Sequence, residues 1–188
     1  MKSANLGTDP VKQLVLRLAL PAMLAQFVNV LYSIVDRMYI GNIPQIGETA
    51  LAGVGICGPI VTMISAFASW VGVGGAPLMS IRMGQKDMDG ARKILANCFL
   101  LMFLMSGLLI VFAYTVKAPI LRAFGATETI FPYADSYMST YLCGTLFAIL
   151  SLGLNQFIIC QGYPGLGMLS VVIGALVNIV LDPVIIFV

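Results

Sequence analysis

Five apolar runs, each at or beyond the roughly 20 residues that a helix needs to cross a bilayer, leave this chain few ways to fold. They fall at residues 15–40, 51–81, 94–116, 133–160 and 166–188. Between them lie 41–49, 82–93, 117–131 and 161–165, where glycine, proline and charge gather as they do in connections. Only 10% of the 188 residues are charged, against about a quarter in soluble domains, and 60% are hydrophobic. The expected fold class is therefore an all-α membrane protein, a polytopic transmembrane helical bundle of about five spans. Lys2 and Lys12 ahead of the first run give it the look of a signal peptide. The run continues too far for a signal-peptide core, and four more spans follow it, so it reads as the first transmembrane helix.

Charge placement predicts the orientation. Lys2, Lys12, Arg17, Arg82, Lys86, Arg92 and Lys93 fall on one side if every run crosses, whereas Arg37, Lys117 and Arg122 fall toward the other. Basic residues collect on the cytoplasmic face. The N-terminus and the 82–93 connection are thus expected in the cytoplasm, and the protein in the cytoplasmic (inner) membrane as a multi-pass chain. Histidine is absent, which removes the commonest acid–base catalyst and metal ligand. Cys57, Cys98, Cys143 and Cys160 all sit in apolar runs without metal-type spacing and read as packing residues.

Against this apolar background Asp36 and Asp182 stand out as carboxylates inside spanning runs. An acid at the centre of a span costs about 2.5–3.5 kcal/mol on insertion scales, so such groups face a partner, a cavity or an ion path. In the first helix Gln26, Asn29, Ser33 and Asp36 recur at spacings of three and four and share one face. Hydrogen bonds between helices account for Gln26, Asn29 and Ser33, which are also candidates to line a cavity; they account poorly for Asp36, which a neutral side chain could replace at lower cost. Arg37 points about 100° away from Asp36 and is expected to snorkel toward the headgroups. Pro21 removes a helical hydrogen bond to the carbonyl of Arg17 and predicts a bend, static or moving.

In the fifth helix Asn178 and Asp182 are one turn apart on one face, with Gly174 a turn earlier and Pro183 next in sequence. Pro183 frees the carbonyl of Ile179. A carboxylate, an amide oxygen and a freed carbonyl form an oxygen-rich set suited to a hard cation, to a proton, or simply to an Asn–Asp clamp. Tyr39, Tyr133, Tyr137, Tyr141 and Trp70 read as interfacial anchors. Gly72, Gly74 and Gly75 lie within a helix and not after a strand, so they signal close packing or flexibility and not a nucleotide loop.

Several stretches, in order, resemble the multidrug and toxic compound extrusion (MATE) family of secondary transporters. They are Leu20-Pro21-Ala22, Val35-Asp36-Arg37-Met38-Tyr39-Ile40-Gly41, Thr49-Ala50-Leu51-Ala52-Gly53, Arg82-Met83-Gly84-Gln85 with Gly90-Ala91-Arg92, Gln161-Gly162-Tyr163-Pro164, and Asn178-Ile179-Val180-Leu181-Asp182-Pro183. The resemblance implies a twelve-helix transporter of two six-helix lobes, of which residues 1–188 would be a partial N-terminal lobe without helix 6 or the C-terminal lobe. It implies a cation site, for H⁺ or Na⁺, at Asp36, Asn178 and Asp182, and a helix-1 bend at Pro21. The chain departs from the family at residues 42–48, where the family's connection is longer.

The expected function is cation-coupled antiport that exports amphiphilic, often cationic, drugs or toxic compounds. No cofactor beyond the coupling ion is expected; the expected partners are membrane lipid, the small-molecule substrate and the missing lobe, and not nucleic acid. A lipid-linked-precursor flippase of the same superfamily remains an alternative, although the spans carry no deep Arg or Lys for its phosphates. A non-transporting membrane scaffold is the other. No enzyme chemistry is suggested.

Overall fold

The computed structural model describes residues 11–187, among which no strand occurs; the side chains of residues 183–187 and several before Ala19 are outside that description. Lys2 and the side chains of Arg17 and Pro183 therefore lie outside it too. Five helices follow in order: α1 (Val11–Gly41), α2 (Gly47–Gly84), α3 (Met88–Ala123), α4 (Phe131–Cys160) and α5 (Pro164–Phe187). Each contains a stretch long and apolar enough to cross a membrane.

The expected spans are all present, but the helices outrun them. Helix α3 covers 88–123 where apolarity predicted 94–116, and α2 covers 47–84 where it predicted 51–81. Smaller corrections apply to α1, which begins at Val11 and not near 15, and to α4 and α5, which begin at Phe131 and Pro164 and not at 133 and 166. Apolar content marks where lipid is, whereas a helix continues into water as long as its backbone bonds are made. Arg92, Lys93, Lys117 and Arg122 thus belong to α3 and not to connections. Pro59, Pro77 and Pro119 also lie inside helices without ending them.

What ends them is local chemistry. Gly125 and Gly162 adopt φ of 99° and 88°, a left-handed conformation cheap only for glycine. After α3 the Ala126 N–H returns to the Leu121 carbonyl at 3.0 Å, the paired closure of a helix C-terminus. Lys86 does the same work after α2 at φ 61°, with the Asp87 N–H donating to the Arg82 carbonyl at 2.9 Å. Asp87 then caps α3, its Oδ1 accepting from the Gly90 N–H at 2.9 Å. Pro164 opens α5, where a missing N–H is harmless.

Lipid offers no hydrophobic drive between helices, so packing rests on close approach and polar links. Helix α2 packs on α4 along a face that carries Gly53, Cys57, Ala68 and Gly72, and α3 lies against both. A Cβ at Gly72 would sit 3.0 Å from the Gly153 carbonyl oxygen and 3.2 Å from its Cα. One at Gly75 would meet Cys98 Sγ at 2.6 Å and Phe157 Cζ at 2.7 Å. Gly74 faces open space. Of the two readings for this glycine cluster, close packing holds for Gly72 and Gly75.

The α1 helix packs mainly on α5. Asn155 ties α4 to α5, its Nδ2 donating to the Gly167 carbonyl at 3.0 Å and to Ser170 Oγ at 2.9 Å. Lys117 ties α3 to α4, its Nζ 2.8 Å from Asp135 Oδ1 and 2.6 Å from Ser139 Oγ. These links set α1 and α5 beside the α2–α3–α4 core, with the seam between the two groups left for the acids.

Candidate functional site

The α1–α5 pairing brings Asp36 and Asp182, far apart in the chain, close enough for their charges to act on each other. Asp36 and Ser33 line a cavity of about 440 Å³ between α1, α2 and α4. Tyr32, Arg37, Gly58, Thr62 and Tyr137 are among the other lining residues. Asp182 approaches from α5. Its Oδ2 is buried and has no hydrogen-bond partner among the described residues.

Asn178, a turn before Asp182, is exposed and comes within hydrogen-bonding reach of the Tyr32 side chain. Tyr32 also feels both acids. Asp36, Asn178 and Asp182 are thus brought together around Tyr32, a residue that the sequence reading did not select. Its signal was available: Tyr32 is one helical turn before Asp36, on the same face. Tyr137 carried no such signal. It was assigned to the interface, yet it lines the cavity and stacks on Tyr141, with ring centroids 6.5 Å apart. Trp70, by contrast, is 70% exposed, as an outward-facing anchor would be.

The polar stripe of α1 divides. Ser33 joins Asp36 in the cavity, whereas Gln26 and Asn29 are exposed and outside its lining. Arg37 is exposed, as a headgroup anchor would be, and it also borders the same hollow, where its charge acts on Asp36. Pro21 lies inside α1, which is continuous through it. The carbonyl of Ile179, expected to be freed by Pro183, depends on a residue whose side chain is outside the described set.

Chemically, one carboxylate, two phenols and a serine hydroxyl line the hollow together with Arg37, and with Asp182 and Asn178 arriving from α5 they make a set that can hold a small cation or a proton. Helices of bilayer length that carry such groups within their spans define a multi-pass membrane protein of transport type. Residues 21–184 match the MatE family. This chain belongs to that family, one of transporters and not enzymes.

Relatives include the FAD transporter of Shewanella oneidensis, 26% identical over 97% of this chain and 40% of that protein. The multidrug export protein MepA of Staphylococcus haemolyticus is 29% identical over 90% of this chain and 37% of its own length. Among solved structures, the MATE multidrug transporter DinF-BH superposes with TM-score 0.90 at 32% identity, over all of this chain and 42% of that one. A transporter of the MOP superfamily from Pyrococcus furiosus gives 0.87 at 26% identity, over 98% and 41%. The chain spans about 40% of the length of the curated relatives it matches.

Proposed function

We propose that this chain supplies the cation-binding lobe of an exporter that exchanges H⁺ or Na⁺ for amphiphilic, often cationic, compounds across the cell membrane. The observation that carries this reading is the convergence of Asp36 and Asp182 from the first and fifth helices, with Asp182 Oδ2 buried and unpaired among the described residues. Asn178 and Tyr32 complete the donor set, and the transport path is closed by a second lobe. The N-terminus and the 82–93 connection face the cytoplasm, in line with their basic residues.

In this mechanism a cation enters from outside and neutralises the two carboxylates. Their mutual repulsion is relieved, α1 repacks against α5, and the hold on the compound weakens. The compound leaves outward, and the cation is released inward. Reciprocity of binding requires that the compound lower the affinity for the cation by the same factor. Pro21 gives α1 a point where bending costs no additional backbone hydrogen bond. Pro21→Ala is expected to preserve cation binding, measured by calorimetry on the intact protein, while cation-driven export slows.

Vesicles containing the intact protein test the reading directly. A fluorescent cationic dye is expected to move against an imposed Na⁺ or pH gradient faster than in protein-free vesicles. Equal dye movement with and without either gradient would overturn it. A second reading, phosphate-bearing anionic cargo, draws on the FAD transporter among the relatives and on Arg37 in the cavity wall. Replacing the dye by FAD in the same vesicles separates the two.

A further inference from the structure

Lys117, near the C-terminal end of α3, grips the first turns of α4 at two points. Its Nζ donates to Asp135 Oδ2 at 2.9 Å and to Ser139 Oγ at 2.6 Å, and lies 2.8 Å from Asp135 Oδ1. The Ser139 hydroxyl in turn donates to the Asp135 carbonyl at 2.7 Å, and the Tyr114 hydroxyl donates to the Ser139 carbonyl at 3.0 Å. The Tyr114 ring lies 5.5 Å from the ammonium, so carboxylate, hydroxyl and ring together saturate the cation. The Lys117 and Asp135 side chains are 19% and 32% exposed. That sets them apart from a solvated pair such as Arg92 and Asp89, which are 79% and 87% exposed and 3.8 Å apart.

We infer that Lys117 and Asp135 are positioning residues for the cation site, holding α4 so that Tyr137 stands in the hollow beside Asp36. This role depends on the cation exchange proposed for Asp36 and Asp182. Asp135 and Ser139 are one turn apart and share the face of α4 that meets Lys117. Tyr137 follows Asp135 by two residues, about 200° around the helix, and lines the Asp36 hollow. One ammonium reaches both Asp135 and Ser139 at a single rotation and height of α4, and that setting aims Tyr137. From the α2 side, Cys57 Sγ donates to the Ala134 carbonyl at 3.4 Å, and a Cβ at Gly53 would sit 3.0 Å from the Ala134 nitrogen. The first turns of α4 are thus fixed from both neighbours.

Stability alone explains the pair poorly. An enclosed ion pair gains little over an apolar pair of similar volume, and shape-fitting side chains would hold α3 on α4 as well. What the charges add is one register, since slippage would leave an ammonium and a carboxylate unpaired in an apolar setting.

Dye export by the intact protein in vesicles, measured against the concentration of the driving cation, tests this role. Lys117→Met combined with Asp135→Leu removes both charges together, so no orphaned ion is left to unfold the chain. The cation concentration at half-maximal rate is expected to rise about fivefold, within the range for coupled residues, while the saturating rate is largely kept. Lys117→Arg, which can still bridge Asp135, should retain the unmodified value. Tyr137→Phe should raise the same concentration, and adding it to the double variant should bring no further rise, because residues that act through one contact do not add. A fall in the saturating rate alone would mean a merely structural role. That result, or additive shifts with Tyr137→Phe, would overturn the inference and leave the cation exchange standing. Dye movement by the unmodified protein that ignores the cation would overturn both.

Discussion

Asp36→Asn and Asp182→Asn, each made in the intact protein, are expected to abolish the dependence of export on a cation gradient. Each removes one of two negative charges that act on each other, so the remaining carboxylate no longer has a like charge to be relieved of. The coupling free energy at stake is about 1–3 kcal/mol, a factor of about 5 to 150 in mutual affinity. The double variant should be no worse than either single one, because both acids serve one binding event and their effects do not add. Cation-dependent dye binding, measured with and without Na⁺ and across pH, reads out the loss. Fully coupled export in both single variants would sink the mechanism. Membrane insertion should survive, since asparagine is cheaper than aspartate in a span.

Gly72→Leu should be the most damaging change in the helix-packing core. At this position α2 meets α4 backbone to backbone, and the Gly153 carbonyl and Cα cannot rotate away as a side chain could. Overpacking of this kind costs about 1–3 kcal/mol and sometimes more, and here the upper end is expected because two helices must separate. Gly74→Ala, two residues on, meets nothing within 4 Å and should be neutral or stabilising by up to about 1 kcal/mol, since alanine favours the helix. Thermal unfolding in detergent, followed by size-exclusion chromatography, would show the contrast. Equal melting of the two variants would mean that the α2–α4 crossing is looser than described.

Much of the architecture was legible because the bilayer writes a strong signal. Five apolar runs gave five helices in the expected order, and the two isolated acids drew attention to the seam where α1 meets α5. The ends were less legible. Lys117 looked like a loop residue since it follows the apolar core of α3, yet hydropathy reports immersion in lipid and says nothing about where backbone hydrogen bonding stops. Arg37 was set apart from Asp36 by the 100° between neighbours, a sound rule for side chains touching each other. A cavity of about 440 Å³ is wide enough for both to line it. Tyr137 was beyond reach because its place in the hollow beside Asp36 depends on how α4 packs on α2, which no periodicity within α4 encodes.

The length of α2 has a mechanical consequence. Its 38 residues make a rod of about 57 Å at 1.5 Å per residue, nearly twice the roughly 30 Å of hydrocarbon it traverses. Rotation of such a rod by about 5° around its midpoint swings each tip by about 2.5 Å, enough to open or shut a gap the width of a dehydrated ion. With α4 clasped tightly at Gly72, that leverage is delivered to a neighbour and not lost as slack.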